Sequence, residues 1–179
     1  MFGKNIVISQ YIEPSGSLKI VDLFYTIQGE GPYNGMPSVF VRLAGCNLRC
    51  SWCDTDFETG AKVRELGNLI ELIQVAANHR TKLVVITGGE PLLQNIVPLI
   101  KELTRRQYRV QIETAGTIWV PLLEECDITL VCSPKTGKVN KEILNRCKHF
   151  KYVVGMGDTV TEEGHIVTAT QPGAKPMAL

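Results

Sequence analysis

The sequence has almost no net charge, no long apolar run and only three histidines. Its 19 Lys and Arg stand against 18 Asp and Glu, a formal charge of +1. That balance excludes a strong, sequence-wide attraction to nucleic acid phosphates or acidic membranes. No apolar stretch approaches the roughly 20 residues that span a bilayer. The opening segment, MFGKNIVISQYIEPSG, has no long apolar core followed by a small-residue cleavage site, so no signal peptide is expected. Internal repeats, low-complexity runs and a linker are missing too. The length of 179 residues and the 44% hydrophobic content therefore predict one globular domain spanning residues 1–179, in the cytoplasm. Six cysteines in such a chain need a reason other than disulfides.

The chain alternates strand and helix signals. Residues 1–16 form an extension closed by the breakers Pro14, Ser15 and Gly16, and an irregular tail is expected from Thr170. Ile20, Val21, Leu23, Phe24 and Tyr25 predict a first strand, ended at Gly29–Pro32; residues 39–43 predict a second, stopped by Gly45. Leu66, Leu69, Ile70, Ile73 and Ala77 share one face of a helix over 65–78. A short buried strand is expected over 82–86, a helix over 93–105, and further strands over 110–113, 128–131 and 152–154. This alternation predicts an α/β fold with a parallel, curved sheet and its functional loops at the carboxyl ends of the strands.

Three of the six cysteines crowd into one loop, Cys46-Asn-Leu-Arg-Cys50-Ser-Trp-Cys53, directly after the second strand. The C-x3-C-x2-C spacing lets successive thiolates wrap one metal centre. No Cys or His follows within twenty residues of Cys53, so a four-ligand zinc site would need His79, His149 or Cys132 from afar. An iron–sulfur cubane also takes four protein ligands as a rule; three leave one iron open to a small molecule. Cys126, Cys132 and Cys147 share no motif and read as buried thiols. His79, His149 and His165 read as surface or core residues.

The cysteine triplet, with Trp52 before its third member, resembles the signature of the radical S-adenosylmethionine enzymes. Thr87-Gly88-Gly89-Glu90-Pro91, between a strand and a helix, is similar to the motif that meets the methionyl amino group in that superfamily. The resemblance implies a partial, elaborated (β/α)6-type barrel and a [4Fe–4S] cluster held by Cys46, Cys50 and Cys53. The open iron would bind S-adenosylmethionine, whose reductive cleavage to a 5′-deoxyadenosyl radical needs the low potentials, down to about −700 mV, that such clusters reach.

Further residues resemble one family within it, the 7-carboxy-7-deazaguanine synthases: Thr26-Ile27-Gln28-Gly29-Glu30-Gly31, Phe40-Val41-Arg42, Cys53-Asp54-Thr55, Glu113-Thr114-Ala115-Gly116-Thr117 and Ser133-Pro134-Lys135. The match runs from about residue 19 to 135. It implies conversion of 6-carboxy-5,6,7,8-tetrahydropterin to 7-carboxy-7-deazaguanine with loss of ammonia, a carbon–nitrogen lyase reaction of 7-deazapurine (queuosine) biosynthesis. Hydrogen would be taken from the pterin C6. Mg2+, a homodimer and an electron donor such as flavodoxin or ferredoxin are implied as well, with no nucleic acid or membrane partner.

By the same resemblance, Trp52, Cys53, Asp54, Gly89, Glu90, Ser133, Pro134, Lys135 and Gln171 would contact S-adenosylmethionine. Ile27, Gln28, Gly29, Arg42 and Thr87 would contact the pterin, with Arg42 on its carboxylate. Thr55 would ligate Mg2+. Residue by residue the blander readings stand beside these: a tight turn at Gln28–Glu30, a cap at Thr55, a surface arginine at Arg42, an ordinary loop at Ser133–Lys135. The role of Glu113 is open. The family's late Gln-Thr-His segment does not occur in this sequence. Two other functions remain: an activase for a glycyl-radical enzyme, which shares the cysteine motif, and a non-catalytic, cluster-binding homologue.

Overall fold

The computed structural model describes residues 6–8 and 16–153. Gln171, His165, the tail and most of the 1–16 extension lie outside the described residues.

Among the described residues the sheet has seven strands. They are β1 (Ser17–Ile27), β2 (Pro37–Leu43), β3 (Lys62–Glu65), β4 (Leu83–Gly88), β5 (Arg109–Thr114), β6 (Thr129–Cys132) and β7 (His149–Phe150), in the order β3-β1-β2-β4-β5-β6-β7. From β2 to β7 all pairings are parallel. The expectation of a parallel sheet is corrected at one edge, where β1 runs antiparallel to both β2 and β3. A connection of only nine residues between Ile27 and Pro37 explains the β1–β2 pairing, because a parallel return needs a crossover of a dozen or more. The strand expected at 152–154 is also corrected: β7 ends at Phe150, and Tyr152 and Val153 are irregular.

Strand alternation separates two faces. Val39, Val41 and Leu43 of β2, Val84 and Ile86 of β4, Val110 and Ile112 of β5, and Leu130 and Cys132 of β6 join one core cluster. Helix α1 (Leu66–Ala77) supplies Leu69, Ile70, Ile73 and Ala77 to that core and stops at Asn78, which takes the left-handed conformation at φ 41°. Helix α2 (Val97–Arg105) supplies Val97, Leu99, Ile100 and Leu103. It starts later than the 93–105 periodicity suggests. Pro91–Leu93 form a separate 3-10 turn, and Pro98 sits in the first helical turn, where its missing N–H does no harm. A short α3 (Lys141–Arg146), capped by the Asn140 side chain, leads into β7.

The other face carries Phe40 and Arg42 of β2, Thr87 of β4, Gln111 and Glu113 of β5 and Val131 of β6. Arg42 stands beside Thr87 in the register, and Glu113 beside Val131. Gly31–Tyr33 form a 3-10 turn that crosses this face: Tyr33 Oη meets Thr129 Oγ1 at 3.0 Å, and a Cβ on Gly31 would lie 3.0 Å from Val131. Polar side chains are thus collected above a hydrophobic sheet, at its carboxyl end, with a turn of the chain closing one side.

Candidate active site

The cysteine loop begins where β2 ends. Gly45 (φ 90°) turns the chain out of the sheet, its N–H donating to the Phe57 carbonyl at 3.1 Å, and buried Phe57 pins the far end of the loop. Residues 6–8 run alongside: Val7 bridges Cys46, and the Ile8 N–H donates to the Cys46 carbonyl at 2.9 Å. Inside the loop the Leu48 N–H donates to Cys46 Sγ (3.4 Å) and the Cys53 N–H to the Cys50 carbonyl (3.2 Å). Asn47 Nδ2 donates to Thr117 Oγ1 at 3.0 Å, tying the loop to the segment after β5.

Cys46, Cys50 and Cys53 line one cavity of about 670 Å3. Trp52, Asp54, Thr55, Gly89, Ser133 and Lys135 share its wall, as do Gln28, Gly29, Arg42 and Thr87. Ile27, 64% exposed at the strand end, and Pro134 do not line it. Glu90 lies beneath the wall, wholly buried.

Cys46 and Cys50 resist ionisation in the bare protein. Burial pushes Cys46 up to about 11, with the nearby Glu90 carboxylate and the other two thiols adding to the rise. Burial also raises Cys50, against the pull of Lys135. Three sulfurs lining one cavity fit a centre that brings its own positive charge, because iron stabilises thiolates, including the two that burial disfavours at Cys46 and Cys50. Among the described residues, no three His, Cys, Asp or Glu side chains gather tightly enough for a single metal ion. His79 is exposed at the end of α1 and His149 lies on β7.

The sheet-side wall is polar and braced. Glu113 Oε1 accepts from Gln28 Nε2 at 2.9 Å and from Gln111 Nε2 at 3.1 Å, while Oε2 has a long 3.5 Å contact from Thr87 Oγ1. Arg42 lies 5.9 Å from the Phe24 ring centre, and Phe24 stacks on Phe40 at 5.4 Å. At the rim Lys135 Nζ donates to Ser133 Oγ (2.8 Å), and burial, then Lys151, lowers its pKa. An ion pair between Lys151 and Glu30 spans the gap between the segments after β7 and β1.

Residues 40–170 match the Radical SAM superfamily. The chain is 47% identical to the 7-carboxy-7-deazaguanine synthase of Rhodospirillum rubrum over 97% of its own length and 74% of the relative's. The chain belongs to the 7-carboxy-7-deazaguanine synthase family. The Rickettsia prowazekii synthase is 38% identical, over 86% of this chain and 69% of that one. The crystal structure of QueE from Escherichia coli superposes with a TM-score of 0.68 and 29% identity, covering 78% of this chain and 71% of that one. The fold is that of a partial radical S-adenosylmethionine barrel, and membership implies a [4Fe–4S] cluster and S-adenosylmethionine.

For this family member, three features of the site escaped sequence reading. Glu113 had no assigned role, although an acidic residue at a strand's carboxyl end was a usable signal. The Glu30–Lys151 pair joins residues 121 positions apart, which no local pattern can reveal. The paired glycines have a packing reason that the motif does not show: a Cβ on Gly88 would lie 2.4 Å from the Leu43 carbonyl oxygen and one on Gly89 2.3 Å from that of Gly45. They let β4 press against the root of the cysteine loop.

Proposed function

We propose that this chain converts 6-carboxy-5,6,7,8-tetrahydropterin to 7-carboxy-7-deazaguanine and ammonia, acting as a carbon–nitrogen lyase. The observation that carries this is one cavity with a three-cysteine loop on one side and Arg42, Thr87 and Glu113 on the other. Substrate and product differ by one ammonia, so the net reaction consumes no external oxidant. When bound, the cluster and S-adenosylmethionine supply a carbon-centred radical able to take hydrogen from an unactivated carbon.

The protein's part is to hold, orient and enclose. Cys46, Cys50 and Cys53 hold the cluster. Trp52, Asp54, Gly89, Ser133 and Lys135 contact S-adenosylmethionine from around the cavity, with Pro134 and Gln171 adding to that site. Arg42 offers a planar donor fork to the substrate carboxylate, and its stacking over Phe24 limits the directions it can take. Gln28 and Gly29, with Ile27 behind them, present backbone groups to the pterin, and Thr87 a hydroxyl. Thr55 supplies one hard oxygen for Mg2+, the remaining positions falling to substrate and water. The chain works as a homodimer in the cytoplasm and takes its electron from a flavodoxin or ferredoxin.

The test is anaerobic incubation of the reconstituted chain with dithionite, Mg2+, S-adenosylmethionine and 6-carboxytetrahydropterin. The expected result is 7-carboxy-7-deazaguanine with ammonia. Appearance of 5′-deoxyadenosine without the deazaguanine refutes the substrate assignment. Absence of both with an intact cluster favours a non-catalytic homologue.

A further inference from the structure

We propose that Glu90 is a positioning residue: its carboxylate clamps the turn after β4 to the loop after β5 and so sets the wall on which S-adenosylmethionine rests. This departs from a direct contact between Glu90 and the cofactor. The proposal rests on the family's use of S-adenosylmethionine and not on which molecule is its second substrate.

The carboxylate is fully buried and faces protein on all sides. Oε1 accepts from the Leu92 N–H at 3.1 Å and from Thr114 Oγ1 at 2.8 Å. Oε2 accepts from the same hydroxyl at 2.9 Å and from the Ala115 N–H at 2.8 Å. The residue's own N–H donates to the Gly45 carbonyl at 2.9 Å, one position before Cys46. Three segments therefore meet at one residue: its side chain joins the Gly88–Pro91 turn to the start of the segment after β5, and its backbone N–H holds the root of the cysteine loop.

The groups around the carboxylate reach the cavity, while the carboxylate does not. Gly88 and Gly89 line it from one side of Glu90, and Thr114 and Ala115 from the other. Thr114 Oγ1 accepts in turn from the Gly116 N–H at 3.0 Å, and Thr117 bonds Asn47 of the cysteine loop. Turning the Glu90 carboxylate towards a ligand would strip the Leu92 and Ala115 amides of their acceptor inside the protein. A buried hub satisfied on both oxygens is built to hold its neighbours in place, as supporting shells of cofactor sites do.

The experiment compares Glu90→Gln, Thr114→Val, Thr114→Ser and the Glu90→Gln/Thr114→Val double variant. Affinity for S-adenosylmethionine is read from the change it causes in the electron paramagnetic resonance spectrum of the reduced cluster. Amide exchange at Ala115 and Gly116 is read in the cluster-free chain. Glu90→Gln and Thr114→Val should each weaken S-adenosylmethionine binding by about tenfold, and the double variant no more than either alone, because one hydrogen-bonded unit is broken in every case. Exchange at Ala115 and Gly116 should quicken, and Thr114→Ser, which keeps the hydroxyl, should match the parent. A loss confined to Glu90→Gln, with Thr114→Val at the parent's affinity, overturns the clamp in favour of direct contact. Lower melting temperatures with unchanged affinity overturn it in favour of a stabilising role alone. If Glu90→Gln does not fold, the Thr114 pair decides by the same criteria. A parent chain whose cluster spectrum ignores S-adenosylmethionine refutes the cofactor assignment and takes the clamp with it.

Discussion

Gly89 lies against Gly45 so closely that a Cβ on it would sit 2.3 Å from the Gly45 carbonyl oxygen and 2.6 Å from Cys46 Cβ. Neither neighbour is the movable end of a flexible side chain, so Gly89→Ala must push the cysteine loop away from β4. The expected result is a chain that folds but reconstitutes with markedly less iron. Gly67→Ala is the matching control. Gly67 is in α1 with nothing within 4 Å of its Cβ position, and the change should raise stability by about 0.5–1 kcal/mol. Iron per chain and the melting temperature check both.

The six cysteines divide into two sets with opposite expectations. Cys50→Ala removes one of the three thiols facing the cavity and should abolish cluster-dependent cleavage of S-adenosylmethionine. Cys147 is away from the cavity, its thiol bonded to the carbonyls of Leu130 and His149. Cys147→Ala should therefore retain iron, with only a modest loss of stability. Equal iron loss in the two variants would overturn this division.

The arrangement of the cysteine loop was legible because its information is local: three thiols, a glycine before them and a β-rich run before that. Helix α1 was legible for the same reason, its apolar spacing covering 65–78 against an observed Leu66–Ala77. The antiparallel edge was not, because strand direction leaves no trace in the alternation of Val39, Val41 and Leu43. Strand β3, Lys-Val-Arg-Glu, is four residues long and mostly polar, so it carries no hydrophobic signal and exists by pairing with β1. The part played by Glu90 was hidden for another reason. A motif shows that a carboxylate is present at a turn, while the donors that surround it, Thr114 and Ala115, come from 24 and 25 positions further on.

Glu113 offers a test of the sheet-side wall. Two side-chain amides, of Gln28 and Gln111, donate to its Oε1 and fix the carboxylate at the cavity. Glu113→Gln keeps the size but can turn an NH2 group against those donors and removes the charge. The expected outcome is a KM for the pterin raised about tenfold or more, with the affinity for S-adenosylmethionine unchanged, as loss of a charged hydrogen-bond acceptor implies. Equal weakening of both ligands would show that the wall as a whole had moved.

Thr55 lines the cavity next to the last cysteine, its hydroxyl donating to Asp54 Oδ1 at 2.9 Å. Thr55→Ala deletes the proposed Mg2+ oxygen while leaving the thiols in place. The variant should retain its iron and its response to S-adenosylmethionine but lose most of the activation by added Mg2+. A Mg2+ titration identical to the parent's removes Thr55 from the metal site.

The buried carboxylate of Glu90 also makes stability depend on pH. Burial pushes its pKa up to about 7 from an ordinary 4.5, outweighing the Leu92 and Ala115 amides and the Thr114 hydroxyl that pull it down. Between those two values the folded chain keeps a proton that the unfolded chain has released. Stability from this group is therefore full below about pH 4.5, falls as the pH rises towards 7, and is level above that. The whole change is on the order of 3 kcal/mol. Glu90→Gln has no proton to lose, so melting the cluster-free parent and variant side by side isolates the effect from every other titrating group. The parent's melting temperature should fall relative to the variant's across pH 4.5 to 7. A difference that stays constant over that window would mean that Glu90 titrates in the folded chain as it does in the unfolded one, and that its burial is relieved by the bonds it accepts.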